Sequence, residues 1–237
     1  MKNVPRKDHW DTWAKQGSAS GGLDQMVSEE LFDHTWAASA YHLRRLLDIK
    51  TCNRVLDAGC GWGRVIHALK YHDPSLVIDG YELTAEYVEK SRALLAREGL
   101  DKNVTIKQGD LTTIDLGQNR YDAFYSTRVI HYIDDKETVI QKLHECLRPN
   151  GRGLFVIPNR LCPYRWISYN HAPLYPIRAL GELMQRAGFR NIKYGGYGFL
   201  PGRLRLAHTS PACAIDRVFS QTPLGSFAGL AYVVGIR

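Results

Sequence analysis

The sequence has no long hydrophobic run. No segment of about 18 uninterrupted apolar residues occurs in its 237 residues, and the N-terminal stretch "MKNVPRKDHWDTW" has no apolar core of the kind that a signal peptide needs. These absences predict a chain with neither a membrane span nor a secretory signal. We therefore expect a protein of the cytoplasm.

Cysteine is scarce, and the spacing of the cysteines does not match that of a metal site. An odd number of cysteines without a C-x-x-C pair indicates free thiols in a reducing compartment and argues against a zinc site or a disulfide framework. We expect no metal at the functional site. The five cysteines are Cys52, Cys60, Cys146, Cys162 and Cys213.

Runs of like charge and internal repeats are also absent. The formal net charge of +7 would suit an anionic partner, either nucleic acid or a lipid surface, but no five like charges follow one another. We therefore expect no specific nucleic-acid partner. The length fits one large globular domain, present as a monomer or a homodimer.

From residue 54 onward, short apolar segments alternate with longer amphipathic ones. Helices are predicted over 64–71, 85–98, 136–147 and 177–187, with Asp134 as the cap of the third. Strands alternating with helices predict an α/β fold with a parallel sheet covered on both faces. The strand candidates are "RVLDAG", "LVIDGYE", "VTIKQGD", "YDAFYST" and "GLFVIP", then residues 191–199 and 230–236.

The two ends of the chain depart from this alternation. Apolar residues at helical spacing over 24–47 predict a helix, and we interpret residues 1–50 as an N-terminal helical lid segment. Residues 51–237 then form the main domain, with insertions at 158–176 and 200–228. The second insertion contains a short helix near 211–219, with Ser210 placed as its cap.

A glycine-rich turn follows the first strand, in the segment "VLDAGCGWGRVI". A dinucleotide site would need G-x-G-x-x-G, but the position of its third glycine is Arg64. The sequence instead has Gly59, Gly61 and Gly63, preceded by Asp57. Because Arg64 interrupts the dinucleotide pattern and an acid here would repel a pyrophosphate, a nicotinamide dehydrogenase is a distant alternative.

Acids also stand at the ends of the next two strands. Glu82 lies about twenty residues beyond the glycine turn, where a carboxylate can accept both hydroxyls of a ribose. Asp110 ends the third strand, where an acid can accept an exocyclic amine. Three polar groups at three consecutive strand ends predict a nucleoside-containing cofactor.

These motifs resemble the class I S-adenosylmethionine-dependent methyltransferases, strongly over residues 54–157. The resemblance implies a Rossmann-like seven-stranded sheet with helices on both faces, whose last strand is antiparallel and inserted beside the fifth. It implies S-adenosylmethionine as cofactor, S-adenosylhomocysteine as product, and no metal. The cofactor-binding residues that it suggests are Trp13, Asp57, Gly59, Gly61, Gly63, Glu82, Leu83, Asp110, Leu111 and Arg128.

The segment "STRVIHYIDD" follows the fourth strand and corresponds to the part of the family that faces the substrate. His131 is the only histidine at a strand end of this edge, and we interpret it as a general base or as a group that orients the substrate. A structural role is the alternative. Aromatic residues suited to a planar acceptor are candidates for substrate contact: Tyr132, Tyr164, Trp166, Tyr169 and His171.

The leading hypothesis is therefore methyl transfer to an oxygen or nitrogen of a small molecule. The most informative experiment is a screen of metabolite extracts with labelled S-adenosylmethionine. Two alternatives stay open. The positive charge would suit a nucleic-acid or protein methyltransferase, although no N/D-P-P-Y/F tetrapeptide follows the fourth strand. A non-catalytic protein that binds the same cofactor could have an identical glycine turn.

Overall fold

A seven-stranded sheet forms the centre of the molecule. The computed structural model describes residues 39–164, 173–199 and 210–237, with the side chains of 210–213 outside that description. The strands lie in the order β3-β2-β1-β4-β5-β7-β6. They are β1 (Arg54–Ala58), β2 (Val77–Glu82), β3 (Val104–Gln108), β4 (Tyr121–Thr127), β5 (Leu147–Pro158), β6 (Arg190–Tyr197) and β7 (Leu230–Ile236).

Helices connect these strands along the chain. They are α1 (39–47), α2 (Arg64–His72), α3 (Ala85–Arg97), α4 (Lys136–Cys146), α5 (Ile177–Arg186) and α6 (Ser210–Phe219). Short 3-10 helices cover Ile49–Thr51, Ile130–Tyr132 and Pro223–Phe227. No helix in the described part of the chain is both long and apolar enough to cross a membrane.

The strand directions confirm the predicted topology. Strands β1 to β5 are parallel to one another, whereas β7 runs antiparallel between β5 and β6. Because parallel strands need long crossovers, the helices between them cover both faces of the sheet. The carboxyl ends of β1 to β5 consequently meet at one edge, which we call the carboxyl edge.

Each face of the sheet carries its own buried core. Helices α1, α2 and α3 pack on the face that includes Tyr125 and Val156, and Leu43 and Leu47 of α1 belong to this core. Helices α4 and α5 pack on the other face, which includes Phe155. Residues 39–47 of the predicted lid segment are therefore part of the main core, and the division into a lid and a domain stays a prediction.

Three local predictions need correction. The cap of α4 is Asp135, whose side chain accepts a hydrogen bond from the backbone N–H of Thr138 at 3.1 Å, so Asp134 was the wrong residue. Strand β3 lies at the sheet edge with mostly exposed side chains, so it is not buried on both faces. Strand β5 begins six residues earlier than predicted, because Leu147 already pairs with Tyr121.

Candidate active site

Three glycines shape the turn between β1 and α2, and each meets a different constraint. All three have positive φ, namely 94° at Gly59, 53° at Gly61 and 85° at Gly63. A Cβ on Gly59 would overlap Val129, and a Cβ on Gly63 would overlap Ser91, whereas a Cβ on Gly61 would meet open space. The turn therefore packs tightly at its two ends and leaves the backbone of Gly61 accessible to a ligand.

Asp57 lies at the centre of this edge. It is 1% exposed, and neither of its carboxyl oxygens has a hydrogen-bond partner of acceptable geometry in the structure. Burial raises the pKa of the Asp57 carboxyl well above its usual range, and the nearby Tyr125 hydroxyl partly opposes this shift. A buried acid without a partner costs stability, so this group favours a bound donor or cation.

Glu82 joins the glycine turn to the next strand end. Its two oxygens accept hydrogen bonds from the backbone N–H of Gly61 at 2.9 Å and of Thr84 at 3.0 Å. Burial raises the pKa of Glu82, and these backbone donors partly offset the rise. Each carboxylate oxygen has a second lone pair, so Glu82 can also accept hydroxyl groups of a ligand.

The third strand end is more open. Asp110 is exposed, and one of its oxygens accepts hydrogen bonds from the backbone and hydroxyl of Thr112 at 2.8 and 2.7 Å. Leu111 is buried in the core beside α4, and its carbonyl accepts a hydrogen bond from Lys142. Leu83 is half-buried at the end of β2, beside Glu82.

His131 occupies the short 3-10 helix after β4. It is 2% exposed, both ring nitrogens are buried without a hydrogen-bond partner, and its ring lies 4.1 Å from that of Tyr132 between centroids. Burial lowers the pKa of His131 to about 3, helped by the charges of Arg128 and Lys136. The imidazole is therefore neutral at neutral pH, and it can donate one hydrogen bond from one nitrogen and accept one at the other.

The backbone at Arg128 turns sharply as β4 ends. Its φ of 59° is in the left-handed region that non-glycine residues rarely adopt, and its N–H donates to the carbonyl of Val156 at 2.7 Å. Such strain is characteristic of functional sites. The turn brings Arg128 to the segment that carries His131 and Tyr132.

Of the remaining candidates for substrate contact, the structure describes only Tyr164. The Tyr164 hydroxyl donates to the carbonyl of Gly198 and so joins the connection after β5 to the end of β6. Trp13, Trp166, Tyr169 and His171 lie outside the described residues. Their roles, like those of the cofactor-binding residues named above, stay predictions.

Sequence reasoning missed two polar residues at this edge. Tyr125 places a buried hydroxyl beside Asp57, with which it is paired in register across β1 and β4. Asn159 is 4% exposed, and its amide donates to the carbonyls of Ser226 and Ala228. A tyrosine within the apolar β4 segment was the only available signal for the first, and nothing in the sequence distinguished the second.

Among the described residues, no group of three or more histidine, cysteine, aspartate or glutamate side chains could hold a metal ion. The polar groups at the carboxyl edge instead suit an organic ligand. Glu82 can take hydroxyls, Asp57 can take a cation or a donor, and Gly61 allows close approach to the backbone. These properties fit the nucleoside and amino-acid parts of S-adenosylmethionine.

Comparisons with known proteins identify the domain. Residues 55–151 match the family described as a methyltransferase domain. The chain is similar to phosphoethanolamine N-methyltransferase 3 of Arabidopsis thaliana, 28% identical over 154 residues that cover 62% of this chain and 31% of the relative. It is also similar to ribosomal RNA small subunit methyltransferase C of Salmonella arizonae, 28% identical over 66% of this chain and 44% of the relative.

Solved structures agree on the fold. Phosphoethanolamine N-methyltransferase 2 of Haemonchus contortus, in complex with S-adenosyl-L-methionine, matches with a TM-score of 0.64 and 18% identity over 87% of this chain and 56% of that one. The chain spans about a third of the length of the plant relatives that it matches. Residues 55–151 thus match a methyltransferase domain, and the seven-stranded sheet that contains them has the Rossmann-like fold of S-adenosylmethionine-dependent methyltransferases.

Proposed function

We propose that this protein transfers a methyl group from S-adenosylmethionine to an oxygen or nitrogen of a small molecule. The observation that carries the proposal is the set of polar groups at the carboxyl edge: Asp57, buried without a partner, and Glu82, bound to the backbone of Gly61. The cofactor is an activated methyl donor. The chain's residues therefore have to bind and align the two reactants and exclude water.

Within this proposal, Glu82 accepts the ribose hydroxyls and Asp57 interacts with the methionine part of the cofactor. Both residues lie near the ends of adjacent parallel strands, and Asp57 pairs with Gly80, two residues before Glu82. The open space beside Gly61 leaves the backbone accessible between them. Asp110 is the candidate for the adenine amine, because its exposed side chain ends the third strand.

We infer that His131 orients the acceptor and does not serve as its main general base. A general base is most efficient when its pKa lies near the working pH, and the pKa of His131 is about 3. A neutral imidazole with two unpartnered nitrogens is suited to hydrogen bonding. The charges of Arg128 and Lys136 beside it favour an acceptor with a negative group, such as the phosphate in the substrate named for two of the relatives.

Titration calorimetry tests the cofactor. S-adenosylhomocysteine should bind, while NAD should not, because the dinucleotide fingerprint is interrupted at Arg64. Binding of NAD with no response to S-adenosylhomocysteine would reject the proposal. A screen of metabolite extracts with labelled S-adenosylmethionine, followed by mass identification of the product, then names the acceptor.

Methylation of a nucleic acid is the second candidate, favoured by the net charge of +7 and by the likeness to a ribosomal RNA methyltransferase. Incubation of the protein with labelled S-adenosylmethionine and total RNA distinguishes this candidate from small-molecule methylation. Label incorporated into RNA at physiological salt, and none into metabolites, would favour the second candidate. A protein that binds the cofactor and labels nothing in either experiment would be a non-catalytic binder.

A further inference from the structure

Exposed apolar side chains are concentrated in one part of the surface. Five of the eight exposed large hydrophobic residues in the described chain fall between residues 215 and 227. They lie on α6 and on the 3-10 helix Pro223–Phe227 that follows it, and these two elements contact each other. We call this set the α6 ridge: Ile215, Val218, Phe219, Leu224 and Phe227, which are 53%, 62%, 37%, 49% and 52% exposed.

Within each of the two helices, the spacing of the ridge residues places their side chains next to one another. Ile215, Val218 and Phe219 are three and four residues apart, so they are neighbours on one side of α6. The residues that point into the protein from α6 are different ones, Asp216 and Ser220, which are 8% and 5% exposed. In the 3-10 helix, Leu224 and Phe227 are one turn apart and therefore lie one above the other.

The ridge lies at the carboxyl edge of the sheet. Asp216 accepts hydrogen bonds from the backbone N–H of Gly198 at 2.7 Å and of Phe199 at 3.2 Å, directly after β6 ends. The end of β6 pairs with Leu230, which in turn pairs with Pro158 at the carboxyl end of β5. An acceptor that enters this edge would therefore pass close to the exposed apolar side chains.

The charges of this segment have one sign at the surface. Between residues 210 and 228 the only acid is Asp216, which is buried and bound to His42 at 3.0 Å. The only basic residue is Arg217, which is exposed and whose guanidinium lies over the Tyr41 ring at 4.4 Å, and Arg160 is exposed two residues after β5 ends. Exposed apolar groups with cations and without an exposed acid match the boundary of an anionic lipid membrane. A second copy of this segment would offer no exposed acid to pair with Arg217.

We propose that the α6 ridge is a docking surface for anionic membranes. Docking there presents the carboxyl edge to the bilayer, with the protein lying on the membrane surface. Apolar side chains that enter the boundary between headgroups and acyl chains supply the adhesion, and the net charge of +7 adds attraction to anionic headgroups.

Vesicle sedimentation tests this proposal with the full chain. Phosphatidylcholine vesicles with phosphatidylglycerol should bind the protein, and vesicles of phosphatidylcholine alone should bind it far more weakly. The double variants Val218→Glu/Phe227→Glu and Val218→Ser/Phe227→Ser should each lose about tenfold or more in partition to anionic vesicles. Tyr71→Glu is the matched control for added charge, because Tyr71 is 73% exposed near the end of α2, at the opposite edge.

Thermal unfolding of each variant checks that the fold is intact. Wild-type protein that stays in the supernatant with anionic vesicles at low salt would overturn the proposal. So would ridge variants that bind as well as the wild type. Self-association of the wild type that the serine variant abolishes, without vesicle binding, would assign the ridge to a second copy and also overturn it.

Discussion

At the scale of single residues, the carboxyl edge contains side chains that do not favour stability. Asp57 and His131 are both almost fully buried, and neither has a hydrogen-bond partner for its polar atoms in the structure. Unpaired polar atoms in a protein interior cost free energy of folding. A bound cofactor and acceptor would supply the missing partners.

Replacing Asp57 with Asn should stabilise the ligand-free protein and weaken cofactor binding. The raised pKa of Asp57 means that its ionised form is disfavoured in the folded state, so the gain is largest at neutral pH and shrinks as acid protonates the wild-type group. We expect the free energy of unfolding to rise by about 1 kcal/mol or more, and affinity for S-adenosylhomocysteine to fall about tenfold. Urea unfolding and calorimetry measure the two effects, and a loss of stability in the variant would contradict this assignment.

Replacing Glu82 with Gln should weaken binding of S-adenosylhomocysteine by about tenfold to a hundredfold, since hydrogen bonds to a charged acceptor contribute about 1.5–3 kcal/mol. Calorimetry gives the affinity. The matched control is Glu89→Gln, because Glu89 is an exposed acid on α3. Equal affinities for the two variants would remove Glu82 from the cofactor site.

His131 should make stability depend on pH in a defined window. Its pKa is about 3 in the folded protein and about 6.5 when unfolded, so between these values only the unfolded chain binds the proton. The free energy of unfolding should therefore fall as the pH drops from about 6.5 to about 3, by at most about 1.4 kcal/mol per pH unit from this residue. Urea unfolding of wild type and His131→Gln across this range should give a smaller slope for the variant, and an identical slope would contradict the buried, neutral state.

At the scale of single elements, different glycines of the turn between β1 and α2 serve packing and ligand access. Gly63→Ala should destabilise the fold more than Gly61→Ala, because its Cβ would overlap Ser91 on α3, whereas the Cβ at Gly61 meets open space. Gly61→Ala should cost about 1–2 kcal/mol for its positive φ and should weaken binding of S-adenosylhomocysteine. Thermal unfolding with and without ligand distinguishes the two effects. Partial rescue of Gly63→Ala by Ser91→Ala would identify the overlap, and equal destabilisation by the two alanines would refute it.

Most elements could be predicted from the sequence because each has its own local pattern. The seven strands and the helices after residue 54 follow from apolar periodicity and from the glycines that end α3 and α5, where Gly99 and Gly188 have φ of 67° and 102°. The cap of α4 was assigned wrongly because Asp134 has Glu137 at capping-box spacing, whereas the backbone geometry selects Asp135.

Only those site residues that stand next to a strand end could be predicted from the sequence. Asp57, Glu82 and His131 stand next to recognisable strand boundaries, so their shared edge follows from parallel topology. The proximity of Tyr125 to Asp57 depends on the register between β1 and β4, which no local pattern encodes. The low pKa of His131 depends on its burial, which also arises only from the tertiary fold.

At the scale of the whole molecule, one buried pair connects distant parts of the chain. The Nε2 atom of His42 on α1 lies 3.0 Å from a carboxyl oxygen of Asp216 on α6, and the His42 ring stacks on Tyr197 at the end of β6. Asp216 also accepts two backbone hydrogen bonds after β6. This pair thus joins α1 to the end of β6 and to α6, which lie more than 150 positions later in the chain.

Asp216→Ala should destabilise the protein by about 3 kcal/mol or more, because it leaves Nε2 of His42 and two backbone donors without their acceptor. The matched control is Asp101→Ala, since Asp101 is exposed and should change stability by no more than about 0.5 kcal/mol. Urea unfolding measures both. Equal, small effects would show that the pair contributes little to the fold.

The insertion of β7 between β5 and β6 also has a consequence for how the protein is made. In the described sheet, β6 pairs only with β7, although β7 is the later strand in the chain. During synthesis, β1 to β5 can assemble while β6 has no strand to join, and the outer edge of β5 stays unpaired until residues 230–236 leave the ribosome. An unpaired edge of this kind is prone to wrong pairing, so the nascent chain is most exposed to aggregation just before β7 is complete.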